Sequence, residues 1–299
     1  MDYHSDRFED HSLIAFRKGK PVALLPANRC GSVLWSHQGL TYGGWILPPG
    51  GPDTGEIFTL WKKWLEYCRD RGIEKIVYKP LPHIYSSQPS EEDRYMLFLS
   101  GANLISTDIS TAIDLKCNSG FNKLQKRHLS HAPEDFNIKV AVWEDSLIVD
   151  EFYRVLRGCL EERHNTTPVH SLEEIKLLMK TFPEKIHIWT GRLGHEVHAG
   201  ICAFAINMCL HCQYIATTTE GRERNIMAPL IKEMISYYTG TGTRYFDFGI
   251  SNEDGGRRLN VGLNRQKTSY GGTGVAYSRY EINVSSALES LPTSLWPQE

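Results

Sequence analysis

The feature that most constrains this chain is a β-meander in its second half. Residues 185–191 (KIHIWTG), 197–207 (VHAGICAFAIN) and 210–218 (LHCQYIATT) are three closely spaced strand-type runs. Two helix-type segments, 146–162 and 172–181, and a strand run IKVAVWE precede them; a polar loop, a helix over 226–238, a strand RYFDFGI, a helix RRLNVGLNRQK and a strand GVAYSRYEI follow. A meander that hands its last strand to a loop and helix, then continues strand–helix–strand, predicts an α/β (α+β) unit with a mixed, mostly antiparallel sheet flanked by helices.

The first half repeats the order with fainter signals. SLIAFR and VALLPAN, joined by Lys18-Gly19-Lys20-Pro21, predict a hairpin, and SVLWS a short strand. A Gly/Pro-rich stretch leads to an amphipathic helix over 56–71, whose Ile57, Leu60, Trp61, Trp64, Leu65 and Cys68 recur at helical spacing, with Gly72 as its stop. KIVYKP is the next strand, PSEEDRYMLFLSG a helix with Ser90 as N-cap, and NLISTDISTAIDL a closing strand run. The polar stretch after it sets a boundary near residue 118. The expected organisation is therefore two tandem units, 1–118 and 119–299, sharing an order of elements rather than sequence identity.

Composition narrows the partners. A chain of 299 residues with 41% hydrophobic content buries a full core. Its 33 basic and 35 acidic residues, with no long run of one sign, give no footprint for DNA or an anionic membrane. The charged start MDYHSDRFEDHSL and the lack of a span-length apolar window point to the cytoplasm. Seven cysteines, mostly in apolar runs, read as reduced core thiols. Cys209 and Cys212 have C-x-x-C spacing, but positions three apart on a strand face opposite sides and no second Cys/His pair completes a tetrahedral set, so no metal is expected.

At FDFGISNEDGGRRLNVGLNRQKTSYGGTGV, residues 246–275, the chain resembles the FemAB-like branch of the GNAT superfamily, whose second unit carries a strand ending in D-F-G followed by K-x-x-F-G-G. FNKLQKRHLSHA, CLEERHN, QYIATT, SHQGLTYGGW and KPLPHIYSSQPSEEDRY extend the resemblance over nearly the whole chain. It implies tandem GNAT-like acyl-CoA N-acyltransferase units and a bacterial acyltransferase acting on amino groups of cell-wall or surface-polysaccharide precursors, with acyl-CoA as co-substrate. Three departures qualify this. Family members begin with a further strand and helix, so the first unit reads as incomplete here. The helices between residues 146 and 181 are too short for the long helical arm of the tRNA-dependent members, which counts against aminoacyl-tRNA as donor. The GNAT phosphate loop, Q/R-x-x-G-x-G/A, has Arg222-Glu223-Arg224-Asn225-Ile226-Met227 as its nearest match, with Asn and Met where small residues let backbone N–H groups approach phosphate. A tRNA-dependent peptidyltransferase and a non-catalytic binding protein stay open as alternatives.

The resemblance also assigns residues. Lys267 matches the motif lysine, able to stabilise an oxyanion or a phosphate, or else a solvated lysine on a helix. Tyr270 replaces a family Phe and is a proton donor or plain packing; Asp247 is a base or a loop cap. Thr217, Thr218, Gly221, Arg222, Arg224 and Asn225 make the expected donor loop, beside backbone amides freed where residues 215–218 face 246–249 across splayed strands. Tyr42, Lys79, Tyr85 and Arg94 are expected to face an interdomain cleft for the acceptor, and His164 to contact the acceptor or simply to end a helix. Trp35 and Trp45 suggest a carbohydrate platform, whereas Trp61 and Trp64 fit core packing.

Overall fold

The computed structural model describes residues 7–117 and 120–295. In chain order the strands and helices are β1 (Glu9–Asp10), β2 (Leu13–Arg17), β3 (Lys20–Leu25), β4 (Asn28–Cys30), β5 (Val33–Trp35), α1 (Thr54–Asp70), β6 (Lys75–Tyr78), α2 (Glu92–Leu99) and β7 (Asn103–Asp114). They continue with α3 (Lys123–Ser130), β8 (Phe136–Ala141), α4 (Ser146–His164), α5 (Leu172–Thr181), β9 (Ile186–Leu193), β10 (Glu196–Ile206), β11 (Cys209–Thr217), α6 (Thr219–Glu223) and α7 (Met227–Thr239). The last are β12 (Tyr245–Ile250), β13 (Asn252–Glu253), β14 (Arg258–Leu259), α8 (Val261–Thr268), β15 (Thr273–Asn283) and α9 (Val284–Ser290).

These elements form two compact units, each discontinuous in sequence. Unit 1 holds the described residues up to Ile109, Asn252–Leu259 and those from Val275 onward; unit 2 holds Ser110–Ser251 and Asn260–Gly274. A single cut at residue 118 therefore describes neither. The cause is long-range pairing: β15 runs antiparallel to β6 with Tyr280 opposite Tyr78, and Ile282, Val284 and Ala287 join the apolar core of unit 1. Local sequence carries no mark of such a pairing.

Unit 1 is built on α1, whose Asp53 and Glu56 form a reciprocal capping box and whose Ile57, Trp61, Trp64 and Leu65 enter the core against Leu34, Ile76 and Tyr78. Its strands are ordered β1-β4-β5-β6-β15, with β5 and β6 parallel, while β2 and β3 pair in a hairpin of their own. Trp45, Trp61 and Trp64 are all buried, so packing accounts for them. Helix α2 has Glu91 at its N-cap with no side-chain cap bond, not Ser90.

Unit 2 carries the β-meander. β8, β9, β10 and β11 are successively antiparallel, β11 meets β12 in parallel, and β12 meets the 110–114 part of β7 antiparallel. Alternation sends Ile201, Ala203, Leu210, Phe246 and Phe248 toward α7, where they pack with Leu230, Ile231 and Met234. The other face meets α4 and α5 through Phe152, Leu156 and Met179 against Ile188, Cys202 and Ala216. Gly200 makes that close approach possible, since a Cβ there would stand 2.3 Å from the Phe152 ring. Two segments differ from expectation. RRLNVGLNRQK is part hairpin, β13 with β14, and becomes helix only at Val261, where the Asn260 side chain accepts from the Leu263 N–H. The polar stretch after residue 120 contains α3, capped by Asn122.

Candidate active site

β11 and β12 pair over three rungs only: Cys209 with Tyr245, Leu210 with Phe246, and His211 with Asp247. Beyond that rung β11 continues to Thr217 with β10 on one side and, among the described residues, no strand on the other. β12 turns away, its register on β7 shifting between Asp247 and Ile250 and Gly249 adopting φ 75°. The two strands therefore part as expected, but in a different register: Phe246 and Asp247 lie opposite Leu210 and His211, and the unpaired stretch is 212–217. About every second N–H of that stretch faces the gap, because alternate residues of an antiparallel strand bond to opposite sides. Such amides are preorganised donors for an acyl oxygen.

Buried polar groups gather at the apex of the gap. Asp247, with no exposed surface, accepts from the Ser110 hydroxyl at 2.5 Å and the Gly249 N–H at 3.1 Å through Oδ1, and meets His211 Nδ1 at 2.8 Å through Oδ2. Lys267 is buried at 6% exposure, not a solvated lysine, and its ammonium donates to the Gly249 carbonyl at 2.8 Å and the Ile250 carbonyl at 2.6 Å. It thus fastens the diverging end of β12 to α8. Burial pulls its pKa down from 10.5 to about 8, against the opposing pull of Asp247. Tyr270 lies in the apolar core, stacked on Phe248 at 5.6 Å, and burial raises its phenol to about 12. Its surroundings are those of a packing residue.

The expected donor loop is compact. The Thr218 side chain caps α6 by accepting from the Gly221 N–H, and Thr217 donates its hydroxyl to the His198 carbonyl. Gly221 is buried so tightly that a Cβ would stand 2.5 Å from that same carbonyl. Arg222 reaches Glu162 at 3.4 Å and Arg224 reaches Asp135 at 2.9 Å, so both guanidinium groups already hold carboxylates. Asn225 takes the left-handed conformation at φ 55° in the turn before α7. Beside this loop, on the α4 side, lies a cavity of about 610 Å³ lined by Arg154, Glu162, His195, His198 and Thr217.

The remaining assigned residues belong to unit 1, apart from His164, whose side chain lies outside the described residues. Lys79 is buried and donates to the carbonyls of His37, at 2.7 Å, and Leu40. Burial and, second, Arg279 lower its pKa to about 8. Tyr42 packs on Tyr85 at 4.3 Å, and the Tyr85 hydroxyl bonds Tyr277 at 3.0 Å. Arg94 pairs with Glu91 at 3.1 Å. Nothing local in the sequence marks His211, because its partner stands 36 positions away on a strand that only the fold brings alongside.

Residues 123–254 match the family model described as an acetyltransferase (GNAT) domain. The chain carries a GNAT domain. That domain contains the whole meander, the parting strands and the loop before α7. FemX shares the fold over 94% of this chain and 90% of its own, with a TM-score of 0.66 at 11% identity. L-PGS from Bacillus licheniformis does so over 94% and 88%, at 0.63 and 12%. A tandem GNAT protein from the clavulanic acid biosynthesis pathway covers 91% and 82%, at 0.50 and 10%. No curated protein sequence matches the chain. Among the described residues no helix is long and apolar enough to cross a membrane.

Proposed function

We propose that the protein is an N-acyltransferase that moves an acyl group from acyl-CoA to an amino group of a cell-wall or surface-polysaccharide precursor in the cytoplasm. The observation that carries this reading is the early end of the β11–β12 ladder, which leaves 212–217, among the described residues, with no strand on the β12 side. A thioester laid along that edge completes the sheet, and the strand's amides meet its carbonyl oxygen as negative charge develops there. Lys267 acts behind β12: by gripping the Gly249 and Ile250 carbonyls it keeps the gap open and adds positive charge near its apex. Of the acceptor residues that the family resemblance assigns, Tyr42 and Arg94 keep exposed surface, whereas Lys79 and Tyr85 are buried and support their neighbours from beneath.

A second reading, with an aminoacyl ester such as a charged tRNA as donor, is favoured by one local feature. The loop before α7 has Gly221 walled in and both arginines engaged, which suits a donor lacking CoA's pyrophosphate. Calorimetric titration with acetyl-CoA separates the two. Micromolar binding is the expected result; absence of heat up to millimolar acetyl-CoA, with binding of aminoacyl-tRNA, reverses the choice.

A further inference from the structure

We propose that His211, held by Asp247, is the base that takes the proton from the attacking amine. The inference rests on the acyl-transfer reading above and adds a residue and a role to it.

His211 and Asp247 form the last paired rung, so their side chains stand where the gap opens. Leu210, Cys212, Phe246 and Phe248 all point into the core under α7, and alternation sends His211 and Asp247 to the opposite face, the one covered further along by α4 and α5. A donor lying in the gap has its acyl carbon at the apex, within reach of that face.

Hydrogen bonding then fixes the ring. As a carboxylate Asp247 only accepts, and its Oδ1 is already occupied by Ser110 and the Gly249 N–H. Its Oδ2 therefore takes the hydrogen of His211 Nδ1 at 2.8 Å, and a neutral ring so held carries its lone pair on Nε2. Asp247 is fully buried and His211 is not, which divides the labour between an orienting carboxylate and a proton-accepting imidazole. Gly249, on β12 just past Asp247, adopts φ 75°, a backbone conformation that favours glycine, and its N–H supplies one of the bonds that fix Asp247.

The step balances without any further reagent. The amine nitrogen attacks the acyl carbon, the C–N bond forms and the C–S bond to CoA breaks. Nε2 receives the proton shed by nitrogen, and the departing thiolate recovers one proton from the imidazolium or from water.

The test measures transfer from acetyl-CoA to glucosamine by thiol release, in wild type, His211→Gln and His211→Gly. A base predicts that His211→Gln lowers kcat at least a hundredfold with KM for acetyl-CoA within threefold, and that millimolar imidazole restores at least tenfold of the activity lost in His211→Gly. Retention of wild-type kcat in His211→Gln, or no imidazole rescue in a folded His211→Gly protein, overturns the proposal. A wild-type protein silent toward this pair counts against the donor or probe, and the ring then decides by itself. Long-range nitrogen NMR in alkaline solution is expected to show His211 with its hydrogen on Nδ1; a hydrogen on Nε2 overturns the assignment.

Discussion

Lys267 shows how burial changes what a residue does. Its sequence setting fits a solvated helix-end lysine as well as a site residue, yet the side chain crosses to two carbonyls of β12 and loses most of its water. The pKa is lowered from 10.5 to about 8, so the unfolded chain holds the extra proton between those two values and stability from this group rises with pH across that window. At about 1.4 kcal/mol per unit, the full swing is about 3 kcal/mol. We expect urea melts of wild type and Lys267→Met to diverge in favour of wild type between pH 8 and 10; a constant difference contradicts the burial account. Activity runs the other way, because the charge near the gap is lost above about pH 8. Lys267→Met is expected to lower transfer more than tenfold at pH 7.5.

At the scale of elements, most of the fold was legible. Helices α1, α4, α5 and α7 carry apolar faces at helical spacing, and the meander carries strand periodicity, so their spans follow from the residues themselves. The failures are equally physical. α3 buries little and is announced mainly by its cap, Asn122. The start of α8 is set by Asn260, which lies inside a segment that reads as helix throughout. The gap itself was legible as an order of elements, but its register and the His211–Asp247 rung were not, because parallel pairing between β11 and β12 spans the whole of α7. Gly200 tests the packing of α4 on the meander. Gly200→Ala forces the Phe152 ring away and is expected to destabilise unit 2 by about 1–3 kcal/mol, read as a shift in the urea midpoint. An unchanged midpoint contradicts that close approach.

At the scale of the molecule, the sequence suggests two units end to end, whereas the chain leaves unit 1 at residue 110, re-enters it over 252–259 and returns to finish it at 275. A protein ending at Gly274 lacks the β15 and α9 side chains that close the core of unit 1, and it is expected to lose that unit's share of the thermal unfolding enthalpy. Retention of the full enthalpy contradicts the discontinuous unit. The central claim concerns unit 2: the acyl donor lies along β11 where β12 has turned away. Hydrogen exchange of the amides of residues 212–217, with and without acetyl-CoA, tests it most directly. The account predicts at least tenfold slower exchange confined to that stretch and the loop before α7; binding of acetyl-CoA with unchanged exchange there would contradict it.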